Sequence, residues 1–414
     1  MEEKNSEKKE RKMRDSGIPW IGEVPEGWEF SKIKCHCTMK SGDNITALDI
    51  SDNGEYPVYG GNGLRGFYKI YNKNGNHILI GRQGALAGNV HLVNGKFWAT
   101  DHAVVVTLKN DVFINYFFRM LESMNLNQYA FDTAAQPGLS VSRIMNLNIV
   151  LPNLEEQHRI ADFLDSKCSE IDTLIENLRA RVESAKEYKK AVITEAVTKG
   201  LDKDAKMKDS GVEWIGEIPE GWEIVRFKHI ASIKSNLVQP DKYMKYPQVA
   251  PDNIEKDTGR LLSHQTVEES GIISGNHLFY RGQILYSKIR PNLNKLTVAP
   301  FDGLCSADMY PIESKLPTLF MVYLMLSTYF VSQVSLIIQD RVKMPKINQE
   351  ELGEIKVVVP SQQDMLTIAD YLDSKCSEID ALLQNYEDQI ATLEEYKKSL
   401  IYEYVTGKKE VPTA

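Results

Sequence analysis

The chain repeats itself, and this repeat constrains the fold more than any other feature. Residues 15–34 (DSGIPWIGEVPEGWEFSKIK) match residues 209–228 (DSGVEWIGEIPEGWEIVRFK) at 13 of 20 positions. Residues 160–172 (IADFLDSKCSEID) and 368–380 (IADYLDSKCSEID) differ at one position. Unrelated segments agree at about one position in twenty, so these matches indicate a tandem duplication.

The parts between the shared segments have diverged. The first pair of segments is offset by 194 positions and the second pair by 208, so the second copy is 14 residues longer in between. One interpretation is a duplicated domain whose loops have drifted. We favour a common frame that presents two different recognition surfaces, because the frame is kept while the middle parts differ strongly.

The shared tails carry an apolar repeat of seven residues, which predicts two coiled-coil helices. Residues 155–199 and 361–406 contain no proline or glycine. We therefore expect about 40 residues, or roughly 60 Å, in each helix. The predicted seam contains Leu164, Ile171, Leu178, Ala185 and Val192 in the first helix and Leu372, Ile379, Tyr386, Leu393 and Leu400 in the second.

Helices of this length need a partner along the seam, and the nearest candidate is the other copy. Tandem copies that pack as equivalents tend toward two-fold symmetry. We therefore predict antiparallel helices related by a pseudo-two-fold axis, with one divergent domain at each end. Residues 15–34 are then expected near the end of the second helix, and residues 209–228 near the end of the first.

Both divergent parts have the composition of an α+β domain. Strands are predicted at residues 78–80 and 103–107 in the first copy, and at residues 283–286 and Lys356–Val359 in the second. Residues 113–121 are predicted to form a buried helix. The predicted fold is therefore α+β, with two such domains separated by two long antiparallel helices.

One stretch, residues 316–339, has no charged residue and is long enough to cross a membrane. It contains polar residues, among them Ser327, Thr328, Ser332, Gln333 and Ser335, and the chain has no second stretch like it. Its counterpart in the first copy is the predicted helix at residues 113–121. We therefore expect a buried helix and no membrane contact.

Composition limits the possible partners and compartment. The 414 residues are enough for several domains, and the net charge of −8 excludes a protein that coats DNA by bulk charge. Binding through a local basic patch stays possible. Five sparsely spaced cysteines indicate reduced thiols in a cytoplasm, and residues 1–14 lack the apolar core of a signal peptide and are predicted to be a disordered tail.

Motifs for catalysis or cofactor binding are weak. Residues 61–66 match G-x-G-x-x-G, but strand-forming residues flank them where a dinucleotide site needs a following helix. Residues 35–37 (Cys-His-Cys) lack the second ligand pair of a structural zinc site. Asp252 lies some sixty residues from Glu313 and Lys315, too far for a confident nuclease metal site. We predict no catalytic residue and no metal in this chain.

Basic residues interleaved with turns and aromatic residues occur in both divergent parts. Arginine can bind guanine, asparagine or glutamine can bind adenine, and lysine beside a turn suits phosphate. Such a residue alone is most often a solvated loop residue, whereas clusters favour a DNA-facing surface. The candidates are Gly63, Arg65, Lys69, Arg82 and Gln83 in the first part, and Arg281, Lys288, Arg290, Asn292, Lys295, Arg341, Lys343 and Lys346 in the second.

From residue 15 to residue 407 the chain resembles the specificity subunit of Type I restriction-modification systems. The resemblance is carried by the duplicated DSG-x-x-WIGE-x-PEGWE, by residues 151–157 (LPNLEEQ) leading into the first helix, and by the matching Val359-Pro360. The segments ILIGRQGALAGNV and ILYSKIRPNLNKL are similar to target recognition domains. Residues 361–364 (SQQD) depart from the first helix start, which leaves the cap of the second helix open.

The resemblance implies that each divergent domain binds one half of a split, asymmetric sequence in double-stranded DNA. It also implies that the helices fix the spacer and bind two methylase subunits, to which restriction subunits are added. S-adenosylmethionine, ATP and Mg²⁺ would belong to those partners, with no cofactor in this chain. The alternatives are a specificity chain for a fused methylase-nuclease, a stand-alone nuclease, or a structural coiled-coil protein.

The expected organisation has six segments. They are a tail (1–14), the first recognition domain (15–152), the first long helix with its linker (153–205), the second recognition domain (206–360), the second long helix (361–407) and a tail (408–414).

Overall fold

The computed structural model describes residues 11–84, 87–109, 111–133, 136–212, 215–341 and 343–412. These residues form two compact units. Unit 1 consists of Met1–Leu178 and Gln389–Ala414, and unit 2 of Arg179–Asp388. Each unit contains one divergent domain, here called a head, together with parts of both long helices.

The head of unit 1 contains two four-stranded sheets. Its described helices are α1 (Ile33–His36), α2 (Ile114–Ser123) and α3 (Val141–Met145), and the first long helix, α4 (Leu154–Lys199), follows. Its described strands are β1 (Met13–Asp15), β2 (Glu23–Pro25), β3 (Glu29–Lys32), β4 (Cys37–Ser41), β5 (Tyr56–Gly60), β6 (Gly63–Tyr68), β7 (Lys73–Asn74), β8 (His77–Gly81), β9 (Val90–Val93), β10 (Lys96–Ala99), β11 (Ala103–Leu108), β12 (Ala130–Thr133), β13 (Gln136–Leu139) and β14 (Asn148–Leu151).

The head of unit 2 has a four-stranded and a five-stranded sheet. Its described helices are α5 (Phe227–Ile230), α6 (Val267–Ser270), α7 (Thr318–Leu326), α8 (Thr328–Ile338) and α9 (Gln349–Glu354), and the second long helix, α10 (Gln362–Val405), follows. Its described strands are β15 (Met207–Asp209), β16 (Glu217–Pro219), β17 (Glu223–Arg226), β18 (Ala231–Ile233), β19 (Leu237–Val238), β20 (Pro247–Val249), β21 (Gln265–Thr266), β22 (Asn276–Phe279), β23 (Ile284–Ser287), β24 (Leu296–Val298), β25 (Gly303–Cys305), β26 (Met309–Ser314) and β27 (Lys356–Val359).

The two heads share a strand order although their sequences differ. The antiparallel sheet is β4-β11-β8-β9 in unit 1 and β18-β26-β23-β24 in unit 2. The other sheet contains one parallel pair in each head, β5 with β10 and β20 with β25. The α+β prediction is therefore confirmed, and the predicted strands lie in β8, β11, β23 and β27.

The apolar runs that predicted strands include the central strand β11. Val104, Val105 and Val106 lie in β11, between β4 and β8, and all three are buried. β-Branched side chains fit a pleated surface that is covered on both faces. In each head the last strand of the shared opening segment pairs with the strand before a long helix, β3 with β14 and β17 with β27.

In each unit the two long helices run antiparallel. In unit 1, Phe163 packs on Tyr404 with ring centroids 4.6 Å apart, and Asp172 accepts a 2.7 Å hydrogen bond from Lys397. Residue numbers thus rise along α4 as they fall along α10. In unit 2, Lys189 donates a 2.7 Å hydrogen bond to Asp380. The helices contain 46 and 44 residues, slightly more than expected.

The predicted seam residues lie on the buried side of both helices. Ala185 and Val192 are only partly buried, and the core uses Ile193 and Val197 instead. A straight α-helix drifts by about 20° per heptad from a seven-residue repeat, so the buried stripe moves to neighbouring positions. The buried predicted residues are Leu164, Ile171, Leu178, Leu372, Ile379 and Leu400, and Leu393 is partly buried.

Both long helices begin with the same cap despite their different sequences. Asn153 Oδ1 accepts a hydrogen bond from the Glu156 amide at 2.9 Å, and Ser361 Oγ accepts one from the Asp364 amide at 3.2 Å. Asparagine and serine are both preferred at this position, because their short side chains satisfy an unpaired amide of the first turn. The second helix start therefore keeps the capping of the first.

The opening segments lie where the repeat predicted. In unit 1, Tyr402 and Lys408, at the end of α10, both donate hydrogen bonds to the Ile21 carbonyl, at 3.1 and 2.7 Å. In unit 2, a Cβ built on Gly200, just after α4, would lie 3.2 Å from Trp222. Each opening segment thus packs on the end of the helix that belongs to the other copy.

The predicted disordered tail is wrong in its described part. Met13–Asp15 forms β1 and pairs with Glu23–Pro25, and Arg14 donates a hydrogen bond to the Trp28 carbonyl at 2.6 Å. The charge run suggested a solvated tail, but its arginines have partners that are distant in sequence. At the other end Val411 packs against the core of unit 1.

The uncharged run forms two helices instead of one. Ser327 ends α7 and caps α8: its Oγ donates to the Leu324 carbonyl at 2.6 Å and accepts from the Phe330 amide at 3.2 Å. Phe320, Leu324 and Phe330 are fully buried in the core of unit 2. In the described part of the chain no unbroken helix passes a length-and-hydropathy test for a membrane span, and α7 with α8 passes only as a pair bent by 58°.

Candidate nucleic-acid interface

Two loops of the second head carry most of its candidate basic residues. They are residues 288–295, after β23, and the described residues 341 and 343–347, after α8, here called the paired loops. The Arg290 amide donates to the Pro345 carbonyl at 2.8 Å, and the Ile347 amide donates to the Lys288 carbonyl at 3.0 Å. Ile289 and Lys346 form an isolated β-bridge. Segments about fifty residues apart are therefore joined at one surface.

The side chains of the paired loops differ in whether they already have a partner within the protein. Lys295 donates to the Pro251 carbonyl at 2.9 Å, and Lys346 lies 3.1 Å from Asp308. The side chains of Arg290, Asn292 and Lys343 are exposed, and none has a side-chain partner among the described residues. These three groups can bind a ligand without first breaking an internal contact. Lys288 lies over the Tyr310 ring, 5.2 Å from its centroid.

The backbone of the paired loops is held in a costly conformation. Arg290, Asn294, Lys343 and Met344 have φ angles of 43°, 41°, 65° and 54°, and they are four of the six described non-glycine residues with positive φ. Each such residue costs on the order of 1–3 kcal/mol and persists only where its surroundings hold it. Asn294 is 1% exposed and donates to the Met325 carbonyl at 3.1 Å, which anchors the loop. Strain of this kind concentrates at ligand-binding sites.

Met344 was missed by the sequence analysis. Its side chain is 51% exposed and lies between Lys343 and Lys346 on the paired loops. An apolar side chain among cations can contact a thymine methyl group or wedge between bases. The only signal in the sequence is a methionine inside a basic segment, which is too common to identify a site.

Two of the candidates stand apart from the others. Arg341 forms an ion pair with Glu351 and donates to the Lys346 carbonyl, so its guanidinium stabilises the loop and is not free to bind DNA. Hydrogen bonding to Arg341 lowers the pKa of the Glu351 carboxyl, which keeps the pair charged. Arg281 precedes β23, whereas Arg290 follows it, so the two lie beyond opposite ends of one strand.

In the first head the candidates gather at the turn between β5 and β6. A Cβ built on Gly60 would lie 2.5 Å from Arg65 Cδ, so the arginine covers this glycine closely. A Cβ on Gly61 would lie 3.6 Å from the Arg82 amide nitrogen. Arg82 donates to Ser41 Oγ at 3.3 Å, and the adjacent Gln83 forms a β-bridge with Gly138.

Two further candidates of the first head differ in placement. Gly63 begins β6 with a φ of 90°, and a Cβ there would lie 3.5 Å from His91. Lys69 is exposed just past the other end of β6, with its ammonium 6.0 Å from the Tyr68 ring centroid. The turn thus brings together Arg65, Arg82 and Gln83 and leaves Lys69 outside the group.

The alternative sites of the sequence analysis have no support in the structure. β6 follows the turn at residues 61–62, where a dinucleotide site would need a helix. Burial raises the pKa of the Cys37 thiol to about 12, so it stays protonated. No group of three or more His, Cys, Asp or Glu side chains within the described ranges could hold a metal.

The dispersed nuclease residues are each engaged elsewhere. Asp252 lies 3.7 Å from Lys295, and Glu313 lies 2.7 Å from Lys234. Lys315 donates to the His229 carbonyl at 3.1 Å.

Comparisons with known proteins agree with the resemblance. The family model described as the Type I restriction modification DNA specificity domain matches residues 25–184. The Type I restriction enzyme EcoDI specificity subunit of Escherichia coli is 32% identical over 287 residues, which cover 66% of this chain and 64% of that one. The chain therefore spans less than two thirds of that relative.

A more distant relative matches over almost the full length. The Type I restriction enzyme MjaVIII specificity subunit of Methanocaldococcus jannaschii is 27% identical over 423 residues, which cover 94% of each chain. A structure solved in a study of complex assembly and conformational transition of the type I R-M system is similar in fold. It has a TM-score of 0.67 and 13% identity, and the match covers 93% of this chain and 99% of that one.

Proposed function

Because this chain belongs to the family of Type I restriction-modification specificity subunits, we propose that it selects a bipartite, asymmetric sequence in double-stranded DNA. The observation that carries the proposal is one strand order with two different sets of exposed basic loops. Each head then binds one half-site. Because the loops differ, the two half-sites differ.

In the second head the paired loops are the proposed base-contacting surface. Arg290 and Asn292 have the donors and acceptors for base edges, Lys343 suits a phosphate, and Met344 suits an apolar contact. The strained backbone supports this assignment, because the contacts that hold it also fix the loops before DNA binds. In the first head the corresponding group is Arg65, Arg82 and Gln83.

The proposal is tested by exchanging one head. Residues 35–150 are replaced by the equivalent segment of a related specificity subunit, and methylated sites are mapped in a host that also expresses the methylase. The expected result is a change in one half-site, with the other half-site and the spacer retained. A change in both half-sites, or cleavage of DNA by the purified chain with Mg²⁺ alone, would contradict it.

The long helices are the proposed docking surface for two methylase subunits. In unit 1, Leu174 and Tyr396 are 52% and 54% exposed. In unit 2, Tyr188 and Leu382 are 54% and 44% exposed. These residues are duplicates offset by 208 positions, so the same leucine and tyrosine stay exposed in each unit. Exposed apolar residues that recur in this way support one partner site in each unit.

Catalysis and cofactors are assigned to the partners. The methylases would bind S-adenosylmethionine and flip the target base, and restriction subunits would use ATP and Mg²⁺. The proposed setting is the cytoplasm of a bacterium or archaeon, where the thiols stay reduced. Native mass spectrometry of the co-expressed proteins should give one specificity chain with two methylases. Substitution of Leu174 and Tyr396 by glutamate should remove one of them.

A further inference from the structure

The largest difference in length between equivalent segments of the two heads lies in one loop. Between β20 and β21 lie fifteen residues, 250–264, here called the covering loop. Between the equivalent strands β5 and β6 lie only Gly61 and Asn62. This difference of thirteen residues is nearly the whole of the fourteen-residue difference between the two copies.

In unit 2 the covering loop lies against the helices. A Cβ built on Gly259 would lie 3.6 Å from the side chains of both Val322 and Leu326 of α7. Asp257 lies 3.8 Å from Lys190 of α4, and burial raises the pKa of its carboxyl. The surface beside the helices of unit 2 is therefore filled by polypeptide of the chain itself.

The corresponding place in unit 1 is identified by a shared contact. Arg119 of α2 donates to Asp165 of α4 at 2.9 Å. In unit 2, Tyr323 of α7 donates to Asp373 of α10 at 3.4 Å. Asp165 and Asp373 are duplicates, at the same position of the shared IADxLDSKCSEID segment. Arg119 and Tyr323 therefore occupy equivalent positions on equivalent helices.

This alignment makes Phe118 and Glu122 the counterparts of Val322 and Leu326, on which the covering loop rests. In unit 1 these positions line an open cleft of about 580 Å³. Its other walls are the short β5–β6 turn, β9 and the two long helices. The lining includes Asn62, Leu64, Leu92, Arg119, Asp172 and Lys397. The cleft is thus the uncovered counterpart of the place that the covering loop fills.

The chemistry of the cleft suits polypeptide better than nucleic acid. Its cations, Arg119 and Lys397, are balanced by Glu122 and Asp172, whereas phosphate binding favours a net positive surface. Two leucines among its polar lining, Leu64 and Leu92, are 56% and 37% exposed. Apolar area surrounded by polar groups is typical of a protein interface.

An exposed lysine beside the cleft indicates that the occupant carries a carboxylate. Lys398 is the duplicate of Lys190, which pairs with Asp257 of the covering loop. Lys398 is exposed, and within the described part of the chain it has no ion pair. An occupant that resembles the covering loop would place a carboxylate beside it.

We propose that the cleft of unit 1 receives a turn of polypeptide from the methylase partner, with an acidic side chain that pairs with Lys398. This inference rests on the proposed function. It makes the two methylase sites unequal, because the covering loop fills the equivalent place in unit 2. The methylase bound at unit 1 is expected to dissociate more slowly than the one bound at unit 2.

A photo-crosslinking experiment tests the occupant directly. Leu64 is replaced by p-benzoylphenylalanine in the full chain, co-expressed with its methylase and mixed with DNA. The matched control carries the same residue at Leu262, which is 57% exposed in the covering loop. Position 64 should crosslink to a methylase peptide that contains Asp or Glu, and position 262 should not crosslink to methylase.

The outcomes separate the two proposals. If the methylase does not co-purify at all, the proposed function fails. If it co-purifies but position 64 crosslinks to DNA alone, or to nothing, then only the cleft assignment is overturned.

A charge reversal tests the carboxylate. Lys398→Glu should weaken binding of one methylase by about tenfold, as expected for the loss of an interfacial ion pair. Lys190→Glu is the control in unit 2, where the chain supplies its own acid, and should change binding less than twofold. Titration followed by native mass spectrometry measures both. Equal effects of the two substitutions would contradict the proposal.

Discussion

At the scale of single residues, two duplicated tryptophans explain why the opening segments are shared. Trp28 Nε1 donates to Glu156 Oε2 at 3.2 Å, and a Cβ on Gly407 would lie 3.0 Å from the Trp28 ring. In unit 1 one side chain thus lies against both the start of α4 and the segment just after α10. In unit 2 the helices exchange roles: Trp222 donates to Asp364 Oδ2, at the start of α10, at 3.1 Å and lies beside Gly200, just after α4.

Loss of the indole N–H should therefore be measurable. Trp28→Phe keeps most of the packing and removes the hydrogen bond to a carboxylate that is only 14% exposed. A hydrogen bond to a charged group contributes about 1.5–3 kcal/mol, so we expect a loss near the lower end of that range. Urea unfolding of the full chain measures it. Trp222→Phe should have a similar effect, and no change in either variant would contradict this role.

The free cations of the paired loops lead to a prediction about DNA binding. Arg290→Ala should cost about 1–3 kcal/mol of binding and relax the choice of base at one position. Lys343→Ala should weaken binding to all sequences and reduce the slope of log affinity against log salt by about 1. Fluorescence anisotropy at several salt concentrations distinguishes the two effects.

The control for this prediction is Arg281→Ala, which removes an exposed arginine at the far end of β23. Its affinity and salt dependence should stay close to those of the unaltered chain. If Arg281→Ala weakens binding as strongly as Arg290→Ala, the paired loops are not the principal contact surface of this head.

At the scale of elements, each long helix places one lysine on its seam. Lys189 follows Val182 by seven residues, and its side chain is only 11% exposed. Lys397 is its duplicate, with 21% exposure. Each lysine pairs with the last aspartate of the shared IADxLDSKCSEID segment on the other helix. Lys189 pairs with Asp380 in unit 2, and Lys397 pairs with Asp172 in unit 1. The sequences of the two tails are therefore constrained by this contact, because each helix supplies the lysine that binds the aspartate of the other.

Removing one partner of such an ion pair should cost more stability than replacing both partners by apolar residues. Asp172→Asn leaves the half-buried Lys397 without its carboxylate and should destabilise the chain by about 1–3 kcal/mol. Replacing both Asp172 and Lys397 by leucine should come within about 1 kcal/mol of the original stability or exceed it, because burial of the charges is itself costly. Thermal unfolding of the single and double variants tests this difference.

The duplicate pair provides the internal control. The same substitutions at Asp380 and Lys189 should give the same ranking in unit 2. A double leucine variant that is less stable than both single variants would mean that the ion pair stabilises the helices more than apolar packing can.

At the scale of the whole molecule, the proposed function makes helix length a determinant of the DNA spacer. Deleting residues 177–183 and 386–392 removes one heptad from each helix and keeps the heptad phase of both. At 1.5 Å per residue this shortens each helix by about 10 Å. At 3.4 Å per base pair the spacer should shorten by about three base pairs, with both half-sites retained.

Mapping of methylated sites in a host with the cognate methylase measures this outcome. A deletion of three residues from each helix is the control, because it rotates the seam away from the partner helix and should abolish assembly. Retention of the original spacer by the seven-residue deletion would contradict the role of the helices as the determinant of length.

Prediction from sequence worked best where the information is local or repeated. The uninterrupted heptads defined both helices, and the β-branched runs located β11 and β27. The repeat predicted the contact of residues 15–34 with the end of α10. It did not predict that Met13 and Arg14 are ordered, because their partners lie on the second opening strand and at Trp28.

The sequence by itself determined the duplication, the antiparallel helix pairs within the units and the presence of two unlike heads, because these follow from periodicity and self-similarity along one chain. Only the tertiary structure decided which cations are free. Arg290 and Arg341 look alike in sequence, yet one is exposed and the other is bound by Glu351. That difference arises from contacts between segments distant in the chain, which composition and spacing do not encode.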